Sequence, residues 1–504
     1  MAIALDETDP VHAPREGVVA QSLVDLADDF DDLHCMTSHR ITALTRLRDE
    51  IEGGAVPDWV RREVIANVDA HLGADLAASS ELTSLIDAAD EDGSLTELTR
   101  ARRRHAETFR TRQGLASGLF VAADWHSPSI AHSVFSNAGR RDGQVRACYD
   151  DYKRDRHPDQ AGWEQAWLVE MVDNPAGHRL GALQTASGMA AITTILAHIE
   201  TQATDGPVLC GEGIYHECRE QLARSELRDR IVTVSETNTA AWKDALDLDP
   251  GAIFLDTMCN SAGLSVPDTP WLIQAVHDRA RSVIIVLDNT ARSVSFQPWR
   301  ILPVDSAVRM VVFESLTKYP QLGADRAAGG VIVSGSSEVA QLDAMREHLG
   351  TNIADAVVYQ HPWPDRRLLE RRLGRLGRNA ALIAHTVAGR LEESESPLRV
   401  VYPGMTTPAR LWETGFRGGY LTIESHEPDV DMYRRLLRLI LDVASLRDVP
   451  ICEGTSFGFD TTRVYLISAE PHGIPFLRIS AGAEHFLGAH AVADVLAEAL
   501  GIPQ

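Results

Sequence analysis

Lysine is almost absent from this chain. Of 48 basic residues only three are lysines, Lys153, Lys243 and Lys318, so arginine carries nearly every positive charge. A guanidinium does not deprotonate in a protein and cannot do amine chemistry. If the chain uses a nucleophilic amine, three positions can supply it. Lys243 falls in a polar helical stretch, 239–248, and reads as solvated surface charge. Cysteine is scarce too: Cys35, Cys148, Cys210, Cys218, Cys259 and Cys452 form no CxxC pair and have no histidine at zinc spacing. That pattern argues against a disulfide framework or a metal cluster and for a reducing cytoplasm. The net charge of −24 leaves little to neutralise phosphates or an anionic bilayer, so neither nucleic acid nor membrane is an expected partner. The opening residues, MAIALDETDPVHAPREG, are acidic and have no apolar signal-peptide core. The longest apolar runs, such as 283–287, are strand-sized and too short to span a bilayer.

What is present divides by texture along the 504 residues. Residues 1–112 carry apolar side chains at helical spacing near 21–32, 41–51, 58–72 and 95–112, interrupted at Gly53–Gly54 and Asp92–Gly93. They predict a helical N-terminal extension that shields a surface or mediates assembly; a carrier or substrate-gating role is the alternative. Residues 113–165 show little periodicity and read as a long arm. From 166 to 370, short apolar strands (208–210, 231–234, 252–255, 283–287, 310–313, 330–333) alternate with amphipathic helices (188–200, 217–224, 271–281), the pattern of a mostly parallel, helix-covered sheet. A long helix over 366–391 leads into a smaller C-terminal α/β domain, 371–504, with strands at 419–425, 463–469 and 476–480.

Four signals carry chemistry. Ser315, Thr317 and Lys318 follow a buried strand, where partial desolvation lowers an amine's pKa and two hydroxyls can meet a phosphate. Asp288 ends the strand Val-Ile-Ile-Val-Leu, at the edge where open α/β sheets bind ligands. Such an acid can keep a pyridine nitrogen protonated, so that the ring accepts electrons. Ser187, Gly188 and Met189 open a helix whose N-terminus suits a phosphate. Tyr215 follows the next strand and can stack on a planar ring. Each alone has a plainer explanation: surface charge for the lysine, a helix cap or metal ligand for the aspartate, an ordinary N-cap for the serine. Their joint order is far more specific.

In that order the chain resembles the fold-type-I (aspartate-aminotransferase-like) enzymes dependent on pyridoxal 5'-phosphate (PLP), and most of all the Cys/Met-metabolism, cystathionine γ-synthase-like family. Further segments fit. Tyr152-Lys-Arg154-Asp-Arg-His-Pro is similar to the family's Y-x-R-x-x-N-P, Asp256-Thr-Met-Cys-Asn260 stands where E-T-P-S-N occurs, and Leu477-Arg478-Ile-Ser480-Ala-Gly482 matches L-R-x-S-x-G. The resemblance spans about 113–504. It implies that Lys318 holds PLP as a Schiff base and that Asp288 protonates the ring. Ser187, Gly188, Met189, Ser315 and Thr317 would hold the phosphate, and Tyr152 and Arg154 would reach the neighbouring subunit's cofactor. Tyr215 would stack on the ring and Asn260 would touch its hydroxyl. Arg478 would clamp the substrate carboxylate, with Ser456 as the second contact.

The implied activity is elimination or replacement on an amino acid, γ ahead of β. Lys318 would move protons, and Tyr215, its pKa lowered by nearby positive charge, would assist at the leaving group. The departures fall around the substrate: the prolines of the E-T-P-S-N-P loop are missing, and 291–296 and 319–326 differ from the family runs. They point to specialised (secondary) metabolism, with C–S or C–C bond formation from an activated homoserine or S-adenosylmethionine-type donor. An aminotransferase or decarboxylase, or a non-catalytic assembly or sensor protein on the same fold, are the alternatives. A homodimer is the minimum unit if Tyr152 and Arg154 cross between subunits, and tetramers are common in the family.

Overall fold

The computed structural model describes residues 15–55, 58–90, 94–124, 158–202, 206–468 and 474–501. Tyr152 and Arg154 lie outside them.

Three long helices come first: α1 (Arg15–Glu50), α2 (Asp58–Asp90) and α3 (Leu95–Asp124). Where the sequence suggested two helices before Gly53, α1 runs unbroken, and the glycines fall in a π-helical turn, Ile51–Ala55. Helix α3 also continues past the expected end near 112. Gly114 and Gly118 lower its intrinsic propensity, but Ala116, Phe120 and Ala123 are buried, and the Phe120 ring stacks on Tyr359 at 4.4 Å. Packing outweighs propensity there. The stretch read as an arm ends in helix as well, α4 (Pro158–Met171).

The larger sheet has seven strands: β1 (Leu180–Thr185), β2 (Val208–Gly211), β3 (Ile231–Val234), β4 (Ala252–Asp256), β5 (Ile284–Asp288), β6 (Arg309–Ser315) and β7 (Gly330–Gly335). They lie in the order β1-β7-β6-β5-β4-β2-β3. Strands β2 to β6 pair in parallel, and β7 runs antiparallel to both β6 and β1. The central strands read as unbroken apolar runs because helices cover both faces. Helix α5 (Gly188–Thr201) buries Ile192, Ile195 and Ile199 against the sheet. Strand β1 escaped the sequence reading: Leu-Gly-Ala-Leu-Gln-Thr has neither strict alternation nor β-branched density.

Helix α6 is His216–Arg224, α7 Thr239–Leu246, α8 Thr269–His277, α9 Ser336–Leu349 and α10 Asp355–Gln360. Helix α11 (Arg366–Glu393) starts where Asp365 caps Leu368 N at 3.1 Å. Its first half puts Leu369, Leu373 and Leu376 into the core under the large sheet. Its second half puts Ile383, Val387 and Leu391 into a separate core. That second core lies on a five-stranded sheet ordered β10-β11-β12-β9-β8: β8 (Leu398–Val401), β9 (Tyr420–Ser425), β10 (Cys452–Glu453), β11 (Arg463–Ile467) and β12 (Phe476–Ser480). Helices α12 (Val430–Leu446) and α13 (Phe486–Leu500) complete it.

The N-terminal helices dock on α11 through charge. Arg378 bonds Asp25 at 2.7 Å, Arg375 bonds Asp29, and Arg371 reaches Asp32 at 2.7 Å and Asp31 at 3.0 Å. Apolar contact extends the dock: Val18 joins the second core, and Ser22 Oγ accepts from Leu487 N at 2.8 Å at the start of α13. Among the described residues the five cysteines are free, and no helix is long and apolar enough to cross a membrane.

Candidate active site

Parallel strands deliver their C-terminal ends to one edge of a sheet. Pairing of β4 with β5 sets Asp256 level with Asp288, and pairing of β5 with β6 sets Asp288 level with Phe313, two residues before Ser315. A cleft of about 1000 Å³ opens at this edge, between the large sheet and the β9–β12 side of the small one. It gathers Ser187, Gly188, Met189 and Tyr215 from the starts of α5 and α6, and Asn260 and Asp288 from the β4 and β5 ends. Ser315, Thr317 and Lys318 from the β6 end, and Ser456 and Arg478 from the small domain, close the set. Every candidate site residue among those described therefore reaches one cavity.

One end of the cleft is built for an anion. Ser187 caps α5 by accepting from Ala190 N at 2.9 Å, which aims the first-turn N–H groups outward. A Cβ on Gly188 would come within 2.8 Å of Ser315 Cβ and 3.2 Å of its Cα, so only glycine permits this approach. Ser315 Oγ lies 2.8 Å from Thr317 Oγ1. Ser315 N donates to Thr290 Oγ1 at 2.9 Å, which ties the β6 end to the turn after β5.

The middle is built for a cation. Asp288 Oδ1 accepts from Thr290 N at 2.9 Å, and Asp256 Oδ2 accepts from Tyr215 N at 3.0 Å. Burial pushes both carboxyls above the usual carboxylate range, and the charge of Asp288 pushes Asp256 further. Two desolvated acids side by side favour a shared proton or a positive partner.

Lys318 Nζ donates to Thr317 Oγ1 at 3.3 Å and sits 5.6 Å from the centre of the Phe457 ring. Burial, followed by the charge of Arg478, brings its pKa down to about 8, against the smaller opposing pull of Asp288. The amine is thus partly neutral near physiological pH. Arg478 is 5 % exposed; its Nη1 donates to Asn260 Oδ1 at 2.8 Å, and its guanidinium lies 5.9 Å from the Tyr420 ring centre. Ser456 holds a left-handed backbone, φ 74°, and its carbonyl accepts from Ser480 Oγ at 2.9 Å.

One expectation is overturned. The Tyr215 hydroxyl is not acidified by nearby positive charge. Burial raises its pKa above the ordinary phenol value, and Glu217, which bonds it, raises it further. At neutral pH it is a proton donor. The sequence reading also missed Asp256 as a second strand-end acid, although its run Ala-Ile-Phe-Leu-Asp repeats the Asp288 signal. It missed Tyr420 and Phe457 too; neither has a local pattern that separates it from core.

Comparison with known proteins adds three findings. The family model described as Cys/Met metabolism PLP-dependent enzyme matches residues 130–413. A bifunctional enzyme of Aspergillus flavus, flvA, is 27 % identical over 342 residues, 66 % of this chain; the chain spans about two-fifths of that relative, 41 %. Similar solved structures include cystathionine gamma synthase from Xanthomonas oryzae pv. oryzae in complex with cystathionine, at 20 % identity and TM-score 0.53 over 69 % of this chain and 89 % of that one. They also include the apo methionine gamma lyase CalE6 of Micromonospora echinospora, at 22 % identity and TM-score 0.53 over 69 % and 88 %. At this distance the likeness shows a shared fold. The described residues fit a PLP molecule: an anion cradle formed by the helix start at Ser187 and the Ser315 and Thr317 hydroxyls, two acids at neighbouring strand ends whose burial favours a positive partner, and a half-buried amine in the same cleft.

Proposed function

Because the chain belongs to the Cys/Met metabolism PLP-dependent enzymes, and so works with PLP, we propose that it carries out γ-elimination or γ-replacement on an amino acid. The bound cofactor supplies an electron sink for charge that develops on the substrate. The chain's own residues supply the rest. The helix start at Ser187–Met189, with Ser315 and Thr317, would hold the phosphate. Asp288 would keep the ring nitrogen protonated, Asp256 would reinforce the negative field, and Tyr215 would stack on the ring. Arg478, already oriented by Asn260, takes the substrate carboxylate in a two-pronged pair.

One observation carries the γ assignment. The Lys318 amine is held by a single hydroxyl, at 3.3 Å, and its pKa lies near 8. Chemistry at the γ-carbon needs protons removed from the α- and then the β-carbon. A base about half neutral near pH 8, and in no ion pair among the described residues, can swing between them. The cleft, about 1000 Å³, leaves room for a bulky donor, which supports an activated homoserine or a sulfonium of the S-adenosylmethionine type. The altered loops at 256–261 and 319–326 support a specialised substrate, with C–S or C–C bond formation in secondary metabolism. The working unit in this reading is at least a dimer, with Tyr152 and Arg154 serving the neighbouring site.

The test is product analysis with holoenzyme and a panel of O-acyl homoserines, S-adenosylmethionine and unactivated amino acids. Ammonia plus a keto acid, or a new C–S or C–C product, is expected. Amino-group transfer or carbon dioxide release in their place would overturn the γ assignment.

A further inference from the structure

The N-terminal helices hold the two loops that flank the site. Asp460, four residues beyond Ser456, is bound by three arginines: Arg372 of α11 at 2.8 Å, and Arg110 and Arg102 of α3 at 2.7 and 3.2 Å. These cations hold its carboxyl well below the usual range, against the opposing effect of burial. Arg110 also donates to Gly323 O through Nε at 2.9 Å and Nη2 at 2.6 Å. One guanidinium thus ties the turn after Lys318 to the loop carrying Ser456 and Phe457. Arg372 adds a bond to Gly458 O at 2.8 Å. Gly458, at φ 90°, packs so closely on the lysine that a Cβ would lie 3.0 Å from Lys318 C and 3.0 Å from Tyr319 N. Leu322 closes the seam by packing among Leu33, Met36 and Phe109 of α1 and α3.

We propose that the N-terminal helices are part of the catalytic apparatus, with Arg110 a positioning residue that fixes the Lys318 loop against the Ser456–Asp460 loop. This rests on Lys318 being the cofactor lysine. Removing the clamp lets the amine and Arg478 drift apart without touching either, and displacements of about 1 Å in such constellations cost up to 100-fold in rate.

The test compares Arg110→Gln, Arg110→Lys and Arg104→Gln as holoenzymes. Arg104 is an exposed control on the same helix, paired with Glu81. Arg110→Gln is expected to lower kcat about 10- to 100-fold with a smaller change in KM. It should also move the pH midpoint of the cofactor's visible absorption, which senses the surroundings of Lys318. Arg110→Lys recovers part of both, and Arg104→Gln changes neither. Wild-type kcat and midpoint in Arg110→Gln overturn the proposal. If that variant does not fold, hydrogen exchange of the unaltered holoenzyme decides: amides of 319–324 and 456–460 should share the protection of α3, and free exchange there overturns it. A borohydride adduct away from Lys318 sinks the underlying functional reading, whereas an adduct at Lys318 with an indifferent Arg110→Gln sinks only the clamp.

Discussion

Asp256 and Asp288 end neighbouring parallel strands at the same level, and burial outweighs the lesser pull of Lys318 on Asp288. The folded chain thus stores a cation site in its sheet edge. Both carboxyls hold their protons to higher pH when folded than when unfolded. The folded form then binds more protons in that window, and stability falls as pH rises through it.

Asp288→Asn removes this strain. The cofactor-free variant should melt higher than wild type at neutral pH, and the difference should vanish at a pH below the ordinary aspartate value. Turnover should drop by at least about 100-fold, the scale of losing a preorganised electrostatic contact. Calorimetry across pH and steady-state rates check the two halves. A lower melting point at neutral pH would show that the Asp288 carboxyl does not destabilise the folded chain.

Lys318 should react with PLP at a rate that rises with pH and levels off above a midpoint of about 8. An ordinary lysine would keep accelerating toward pH 10.5. Burial is the main cause and Arg478 the second, so Arg478→Gln should move the midpoint upward. Stopped-flow absorbance of cofactor incorporation measures both.

Arg478→Lys keeps the charge and loses the fork. Substrate KM should rise about 10- to 100-fold, the value of one charge-assisted hydrogen bond, with kcat changed less. A kcat loss at unchanged KM would place Arg478 outside carboxylate binding.

Tyr215→Phe tests whether the Tyr215 hydroxyl stays protonated in the working range. Because the hydroxyl stays protonated through neutral pH, the variant should keep the shape of the wild-type pH–rate profile while losing rate. Disappearance of an acid or basic limb between pH 6 and 9 (roughly the range where a tuned catalytic group titrates) would restore Tyr215 as a titrating base.

Gly458→Ala places a methyl 3.0 Å from the Lys318 carbonyl carbon in a backbone region that favours glycine. It should cost about 1–3 kcal/mol of stability, and the visible spectrum of the loaded enzyme should change with it.

Much of the site was legible in the sequence because each part obeys a local rule. A strand ends in Asp288, a helix begins at Ser187, and Lys318 follows a buried strand, so periodicity and position sufficed. Lysine scarcity sharpened the last of these. What stayed hidden depends on contacts distant in sequence. Asp460 reads as one more acid in a turn, and nothing near it announces Arg102 and Arg110, some 350 residues away. The direction of the Tyr215 shift also required knowing that its hydroxyl is buried and bonded by Glu217. Helix α3 was cut short because periodicity fades after 112, where the stacking of Phe120 on Tyr359 carries the helix on.

The seam between α1 and α13, where Ser22 receives Leu487 and Val18 enters the C-terminal core, joins positions 465 residues apart in the chain. Contacts of such separation carry a large loop-closure cost and form late in folding. The edge of the C-terminal core beneath Val18 is therefore sealed only after both domains have taken shape.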